Sequence, residues 1–278
     1  MFKRCLIGLL SLLCILLSAP SCAPNASREL EIRFLDVGQA DAILIRTSVG
    51  DVLIDAGSND SQVALCNRLA QLGVERLALA VFTHPDEDHV GGADGVLRRF
   101  PTEKVWISPF FGGDGAARDL LDAASDTGAI VEKVYNGFHV MLGKVGIAVL
   151  SPYGSMNGAD DNDKSIVLKV ACGDTSALFM GDAGAFAEEL LLDLHGRTQV
   201  SCDLLKVAHH GANASTGARF LQAVSPDYAV ISCGAGNFYG HPHGELIARL
   251  EAVGAEILRT DLCGEVVFYS DGVSLYYE

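Results

Sequence analysis

The segment from Thr83 to His89 carries the densest group of side chains able to do chemistry in this chain. It reads THPDEDH, so five of the six residues from 84 to 89 bear a carboxylate or an imidazole. Such a group suffers charge repulsion and desolvation unless a cation offsets its charge. Imidazole together with carboxylate suits zinc, manganese or iron. The segment therefore predicts a metal site rather than a solvated acidic turn.

A buried strand is expected to present this segment. Residues 77–82 form a continuous apolar run directly before it, which is typical of a strand buried on both faces. Sites of open α/β sheets lie in loops that follow the carboxyl ends of such strands. Further strand-like runs come in two clusters along the chain, with helical stretches such as 61–72 and 185–194 between them. This order predicts a single α/β domain of two packed sheets with helices outside.

Six motifs resemble those of one known family. The run His84-x-Asp86-x-Asp88-His89 resembles the H-x-H-x-D-H signature of metallo-β-lactamase-fold hydrolases, with Asp86 in place of the second histidine. That variant is typical of the extracellular hydrolase domain of ComEC-type DNA-uptake proteins. Five further segments match in family order: 34–41 (FLDVGQAD), 53–57 (LIDAG), 179–182 (FMGD), 205–211 (LKVAHHG) and 237–242 (NFYGHP). Together the matches span nearly the whole chain after its N-terminal segment.

The resemblance implies an αββα sandwich that holds two divalent metal ions, zinc or manganese. Carried over residue by residue, it assigns His84 and Asp86 to one ion. It assigns Asp88 and His89 to the second ion, and Asp182 bridges the two. Asp88 is also a candidate catalytic group.

One histidine of the adjacent pair His209 and His210 is expected to complete the second metal site. A strand followed by a small residue and then histidine favours His209 as the ligand. His210 is then a proton donor or a hydrogen-bond partner of the ligands. His241, in a loop rich in Gly and Pro, is the candidate general acid that protonates the leaving oxygen. Its alternative role is a hydrogen bond that stabilises the loop.

Further residues are expected to orient the ligands through hydrogen bonds without touching the metal. Asp55 is expected to hold the metal-binding loop in this way, and Asp36 and Asp41 either do the same or form a turn. The family at large has one more histidine ligand before the bridging aspartate. Asn162 and Ser165 stand nearest to that place, so one of the two metal sites is expected to have fewer protein ligands.

Residues 1–22 have the pattern of an export signal. Lys3 and Arg4 precede an apolar run that is shorter than the about 20 residues needed to cross a bilayer. Cys22 then stands where a bacterial lipoprotein carries its lipid, although Ala19 occupies the place of the usual leucine. We expect a protein that is lipid-anchored at the outer face of the cell membrane. Plain secretion and a retained anchor are the alternatives.

The remaining chain divides into a polar tether at 23–29 and a hydrolase domain at 30–278. Five cysteines follow Cys22, and none of them lies in a C-x-x-C pair, so buried small hydrophobic residues are expected rather than a cysteine zinc site.

The charge of the chain limits its partners. It has 278 residues with 20 basic and 35 acidic side chains, a net charge of −15. Without Lys3 and Arg4, 18 basic residues face 35 acidic ones, a balance of −17. This balance excludes a basic protein that coats nucleic acid. It also disfavours tight binding of DNA, which depends on Lys and Arg contacts to phosphate.

The function predicted from these observations is that of an exported metal-dependent phosphodiesterase or nuclease. In it, a metal-activated water molecule attacks phosphorus. The expected partners are a phosphodiester substrate, with DNA as one candidate, and the membrane through the lipid anchor. No protein partner is identifiable from the sequence. The alternatives are a hydrolase of a cell-wall phosphodiester such as teichoic-acid phosphorylcholine, and a binding module without catalysis.

Overall fold

The computed structural model describes residues 28–278. The predicted export signal at 1–22, the predicted lipidation site Cys22 and most of the predicted tether lie outside the described residues. Within the described range, no helix is both long enough and apolar enough to span a membrane.

Fifteen strands form two sheets in the described part of the chain. They are β1 Leu30–Phe34, β2 Ile43–Thr47, β3 Gly50–Ile54, β4 Leu77–Phe82, β5 Thr102–Ile107, β6 Ile130–Lys133, β7 His139–Leu142, β8 Val145–Ser151, β9 Val167–Cys172, β10 Thr175–Phe179, β11 Leu204–Lys206, β12 Tyr228–Ile231, β13 Glu256–Arg259, β14 Val266–Ser270 and β15 Leu275–Tyr277. The first sheet has the order β15-β14-β1-β2-β3-β4-β5-β6, and the second has the order β13-β12-β11-β10-β9-β8-β7. Each sheet contains a run of four parallel strands, β3 to β6 in the first and β10 to β13 in the second.

Eight α-helices connect these strands. They are α1 Gln62–Gln71, α2 Glu87–Val90, α3 Ala93–Arg99, α4 Gly115–Thr127, α5 Ala185–Val200, α6 Ala218–Val224, α7 Gly244–Ala252 and α8 Thr260–Cys263. The predicted strand at 77–82 is β4 without any shift, and the predicted helix at 61–72 is α1. Helix α5 is longer than predicted, and Gly196 interrupts it with a left-handed φ of 64°.

Three apolar clusters show how the layers pack. The central cluster lies between the two sheets, where Phe34 of β1 stacks on Phe179 of β10 with ring centres 6.1 Å apart. A second cluster joins the outer face of the first sheet to α1, α3 and α4. A third joins the outer face of the second sheet to α5, α6 and α7. The predicted αββα sandwich is therefore confirmed.

Strand β4 shows why an uninterrupted apolar run was a good predictor of the sandwich centre. Leu79 and Val81 point into the cluster between the sheets, whereas Ala80 and Phe82 point toward the helices. Both faces of the strand are thus buried, and alternation between polar and apolar residues is lost. Burying a side chain such as Phe82 stabilises the fold by roughly 1.5–3 kcal/mol.

The cysteines largely follow their prediction. Cys66, Cys172, Cys202 and Cys233 are buried and unpaired, whereas Cys263 is exposed. Burial raises the pKa of Cys202 and that of Cys233 to about 12. These two thiols therefore behave as small apolar groups rather than as nucleophiles or metal ligands.

Candidate metal centre

Loops from both sheets meet at one edge of the sandwich. The segment from Thr83 to His89 follows β4 of the first sheet, while Asp182 follows β10 and the His209-His210 pair follows β11 of the second. They border a cleft of about 750 Å³ that is lined in part by Asp86, Asp88, Asp182, His209 and His210. The prediction that these distant motifs form one site agrees with their placement.

Asp55 fixes the orientation of His89 at the floor of this cleft. Both side chains are buried, and His89 Nδ1 donates a hydrogen bond to Asp55 Oδ2 at 2.8 Å. The Nδ1 proton is therefore held by Asp55, and Nε2 is the nitrogen directed at Asp182, whose Oδ1 lies 3.2 Å away. A carboxylate that holds the far nitrogen of a histidine is a common support of metal-binding imidazoles. The structure thus places Asp55 where it can orient His89, which is the role predicted for it.

Thr83 connects Asp55 to His84 through hydrogen bonds. Its hydroxyl donates to Asp55 Oδ2 at 2.8 Å and therefore accepts from His84 Nδ1 at 3.1 Å. The backbone N–H of Thr83 also donates to Asp55, at 2.8 Å from Oδ1. As a result, His84 also presents the lone pair of Nε2 to the cleft. The sequence did not reveal this role, because threonine before a metal-binding motif has no distinctive spacing.

His210 belongs to the second ligand group. Its Nδ1 donates to the backbone carbonyl of Ser232 at 3.0 Å, and its Nε2 lies 3.1 Å from Asp88 Oδ2. Asp88, His89 and His210 have ligand atoms within 4.8 Å of one another, as do His84, His89 and Asp182. His210 is also the buried member of the adjacent pair His209 and His210.

His209 lies outside both groups. Its side chain is one-third exposed, its Nε2 is 3.6 Å from Asp182 Oδ2, and its Nδ1 accepts from Asn162 Nδ2 at 3.4 Å. His210 thus belongs to a ligand group, whereas His209 borders the cleft beside Asp182, and which of the two binds a metal stays a prediction. Adjacent residues were hard to rank from sequence, because both histidines adopt left-handed φ values near 50°.

Asp182 occupies the centre of the cluster. Its Oδ2 lies 3.8 Å from His84 Nε2 and 3.9 Å from His210 Nε2, and its Oδ1 faces His89. In a tetrahedral site with bonds of about 2.1 Å, two ligand atoms stand about 3.4 Å apart. The spacing of Asp86 Oδ2 from His84 Nε2, 3.6 Å, is of the same size. These separations fit ligands that share metal ions, with Asp182 between two sites.

Orphaned polar atoms provide an independent test of the fit to a metal. His84 Nε2, His89 Nε2 and Asp182 Oδ1 are buried and have no hydrogen-bond partner. Such atoms normally cost about 1–3 kcal/mol each unless something satisfies them. All three point into the same space, so a bound cation would satisfy them together.

The local field also favours a cation. Burial lowers the pKa of His89, yet the carboxylates of Asp182 and Asp55 outweigh it and raise that pKa well above its usual value. Burial raises the pKa of Asp182, yet His89 and His210 outweigh it and hold that pKa well below its usual range. Positive charge is therefore strongly stabilised at this point of the protein.

The remaining residues that were expected to orient the ligands fall into two groups. Ser165 is buried, and its hydroxyl accepts from the backbone N–H of Asp182 at 3.3 Å, while Asn162 contacts His209. Asp36 is exposed, and its carboxylate accepts from the backbone N–H of Gly38. The orienting role proposed for Asp36 therefore has no support, and Asp36 forms a turn, as the alternative stated.

Asp41 and Lys206 form a buried ion pair beneath the centre. Lys206 Nζ lies 2.7 Å from Asp41 Oδ2, and both side chains are 1% exposed. Asp41 Oδ1 lies 3.6 Å from His210 Nδ1. Asp41 therefore lies next to His210, where it could orient this histidine, which is one of the two roles predicted for it. Lys206 thus points inward from β11, and its charge is paired inside the protein rather than exposed.

His241 lies on the loop that closes one side of the cleft. Its Nδ1 accepts from Gln39 Nε2 at 3.3 Å, and burial together with His243, His209 and His210 lowers its pKa to about 4. At neutral pH the ring is therefore uncharged. The predicted role as a general acid then requires that a bound anion raise this pKa.

Backbone strain is concentrated at the same place. Asp55, His209 and His210 all have positive φ, between 50° and 57°. In a residue other than glycine, this conformation carries a strain energy of order 1–3 kcal/mol. Gly92 completes the packing, because a Cβ there would collide with the carbonyl oxygen of Ala56. The fold tolerates this strain where it positions the ligands.

Comparisons with known proteins agree with the fold and the ligand pattern. A sequence profile of the Metallo-beta-lactamase superfamily matches residues 35–112, which include the segment from Thr83 to His89. The structure of the metallo-beta-lactamase fold protein YhfI from Bacillus subtilis superposes with a TM-score of 0.57 at 11% identity, covering 87% of this chain and all of YhfI. CmlA from Streptomyces venezuelae superposes with a TM-score of 0.57 at 15% identity, covering 87% of this chain and 54% of CmlA. The chain therefore has the metallo-β-lactamase fold, and its residues 35–112 resemble the superfamily in sequence.

The chain is also similar in sequence to ComEC-type proteins. It is 30% identical to ComE operon protein 3 of Bacillus subtilis over 88% of this chain and 34% of the relative. It is 34% identical to competence protein ComA of Neisseria gonorrhoeae over 90% of this chain and 33% of the relative. The chain thus spans about a third of the length of these relatives. The resemblance inferred from the six motifs is confirmed.

Proposed function

We propose that this protein is a metal-dependent phosphodiesterase of the nuclease type. The observation that supports the proposal best is that the orphaned atoms of His84, His89 and Asp182 lie together, next to a second ligand group formed by Asp88, His89 and His210. His84, Asp86 and Asp182 would hold one divalent ion, and Asp88, His89 and His210 would hold the other. When bound, two such ions would activate a water molecule and stabilise the charge that develops on phosphoryl oxygens.

The donor set suits zinc or manganese, because it combines neutral imidazole with carboxylate. The neighbour CmlA is described as a diiron β-hydroxylase, so a protein with this fold can carry two metal ions. His210 rather than His209 is the ligand in this proposal, since its Nδ1 proton is held by a carbonyl and its Nε2 is directed at Asp88.

The chain's own residues prepare the cleft for a phosphodiester. Asp55 and Thr83 keep the protons of His89 and His84 on Nδ1, so that both Nε2 atoms stay available as ligands. His241 and His209 border the open side, with ring centres 5.8 Å apart. A phosphate anion near them would raise the pKa of His241 and allow it to pass a proton to the leaving oxygen.

The relatives' names suggest where the protein works. Two of them are named ComE operon protein 3 and competence protein ComA. We propose that this chain acts outside the cell on a phosphodiester, lipid-anchored through Cys22 or else secreted.

A cell-wall phosphodiester remains the second candidate substrate. Among the described residues that line the main cleft there is no Lys or Arg, while Asp86, Glu87, Asp88 and Asp114 are present. Nucleic-acid affinity usually rests on basic contacts to phosphate. A small phosphodiester with a cationic head group, such as phosphorylcholine, would fit this charge.

Hydrolysis of bis(p-nitrophenyl) phosphate by the metal-loaded protein tests the proposed reaction. We expect turnover with manganese or zinc and its loss in Asp182→Ala, while Asp193→Ala, which changes an exposed carboxylate on α5, keeps it. A panel of single-stranded DNA, double-stranded DNA and p-nitrophenyl phosphorylcholine then ranks the substrates. Tight metal binding without turnover of any of them would instead identify a binding module.

A further inference from the structure

Two aromatic side chains stand exposed at the mouth of the cleft. Phe238 is 100% exposed and Tyr239 is 65% exposed, on the loop between β12 and α7. Tyr239 lines the cleft and stacks on His241, with ring centres 5.6 Å apart and planes 21° apart. Phe238 meets Tyr239 edge to face, with ring centres 6.4 Å apart. One ring therefore forms part of the wall, and the other projects beyond it.

The loop holds these rings in a defined place. Asn237 Nδ2 donates to the carbonyl of His241 at 2.6 Å and to that of Gly234 at 2.9 Å, and Asn237 Oδ1 accepts from the N–H of His241 at 3.0 Å. Gln39 braces the same loop from the first sheet, because its Oε1 accepts from the N–H of Gly234 at 3.0 Å. An aromatic side chain on a braced loop offers contact area at a small cost in conformational entropy.

The charge of the cleft indicates what these rings recognise. Basic side chains are missing from its described lining, so Lys and Arg contacts to phosphate cannot supply the affinity for a nucleic-acid strand there. Base stacking on aromatic rings is the other general source of affinity for single strands. In a duplex the bases are paired and stacked already, so exposed rings favour unpaired nucleotides.

A smaller cavity extends the cleft past Asp86. Its volume is about 290 Å³, it shares Pro85, Asp86 and Asp114 with the main cleft, and Phe110 and Lys164 line it. Lys164 Nζ lies 5.9 Å from the ring centre of Phe110. Lys164 Nζ also pairs with Asp161 Oδ1 at 2.8 Å, so this cavity offers a neighbouring nucleotide mainly a further aromatic ring, Phe110.

We propose that Phe238 and Tyr239 form a stacking platform for an unpaired nucleobase next to the scissile phosphodiester, so that the substrate is single-stranded nucleic acid. The inference rests on the proposed phosphodiesterase function. It adds that the bases rather than the phosphates of the strand supply most of the binding.

Binding of a fluorescein-labelled phosphorothioate hexathymidylate tests this inference, measured by anisotropy with manganese present. We expect Phe238→Ala to raise Kd about fivefold or more, which matches the loss of one stacked base, and Phe238→Trp to restore it. An abasic analogue should bind the unchanged protein as weakly as the hexathymidylate binds Phe238→Ala. Tyr135→Ala is the matched control, because Tyr135 is an exposed aromatic residue away from the cleft lining.

Three results would overturn the platform. One is an unchanged Kd in Phe238→Ala, and another is a dependence of log Kd on log salt steeper than about two, which would assign the affinity to phosphate contacts. The third is loss of binding to phosphatidylglycerol vesicles in Phe238→Ala with oligonucleotide affinity intact, which would assign the rings to a membrane. Hydrolysis of bis(p-nitrophenyl) phosphate by the unchanged protein separates these failures from a failure of the proposed reaction.

Discussion

Replacing Asp55 by asparagine is expected to weaken metal binding without removing a proposed ligand. The carboxylate of Asp55 accepts three hydrogen bonds of 2.8 Å, two from Thr83 and one from His89 Nδ1. An asparagine keeps one acceptor oxygen for the N–H of Thr83. Its amide nitrogen then faces two donors, the threonine hydroxyl and the imidazole N–H.

The imidazole can escape this conflict only by moving its proton. With the proton on Nε2, His89 Nδ1 accepts from the new amide, but Nε2 can no longer bind a metal. Metal binding at Nε2 therefore requires the proton to return to Nδ1, where it again faces the amide N–H of the asparagine. Losses of support of this kind reduce metal affinity about 10- to 100-fold, or roughly 1.4–2.7 kcal/mol. Because both side chains are buried, solvent cannot replace the lost bond.

The assay is competition with a chelating dye for zinc and for manganese, together with thermal unfolding in the presence and absence of metal. We expect Asp55→Asn to raise the metal Kd by at least tenfold and to lose most of the metal-induced rise in Tm. The matched control is Asp193→Asn, at an exposed carboxylate. A folded Asp55→Asn protein with a metal Kd within threefold of the unchanged protein would refute the reasoning.

Three further predictions concern charge at and around the site. Asp182→Asn should abolish hydrolysis of bis(p-nitrophenyl) phosphate and bind at least one metal ion fewer by elemental analysis, because it changes the carboxylate between the two ligand groups. Lys206→Met should lower the free energy of unfolding in urea by about 3–5 kcal/mol, since it leaves buried Asp41 without its partner, and adding Asp41→Asn should recover at least half of that loss. Burial raises the pKa of Glu188 from 4.5 to about 7, so the folded state holds a proton that the unfolded state releases. Stability should therefore fall by roughly 3 kcal/mol as pH rises from about 4.5 to 7, and Glu188→Gln should remove that slope.

Each of these has an outcome that would contradict it. Full activity in Asp182→Asn would place the metal elsewhere. A loss below about 1 kcal/mol in Lys206→Met would mean that Asp41 is reached by solvent. A urea midpoint that rises with pH between 4.5 and 7, in the unchanged protein but not in Glu188→Gln, would show that Glu188 is stabilised in its charged form.

The sequence was most informative where the chemistry is local. The segment from Thr83 to His89 is continuous and follows an apolar strand, so the prediction of a metal-binding loop followed from composition and position alone. Apolar runs long enough to be buried on both faces also predicted the two-sheet core. The family resemblance then joined this segment to Asp182 and to the histidine pair on β11, and the structure places all of them at one edge.

The sequence left open which side chains point inward and which residues from distant parts of the chain contact them. His209 and His210 are neighbours, and their left-handed backbone conformation, which no pattern of residue types announces, decides which of them turns inward. Lys206 resembles any surface lysine until its partner Asp41, from the far end of the chain, is seen against it. Thr83 acts through a hydroxyl with two simultaneous bonds, and only the geometry shows both.

The ligands come from both halves of the sandwich, and this has a mechanical consequence. His84 and His89 follow β4 of the first sheet, whereas Asp182 and His210 follow β10 and β11 of the second. Ions bound between them would therefore connect the two sheets at this edge. Metal binding and the stability of the sandwich are then thermodynamically linked. A metal concentration 100 times its Kd raises the free energy of unfolding by about 2.7 kcal/mol. The resistance of this fold to unfolding would then depend on the supply of metal in its surroundings.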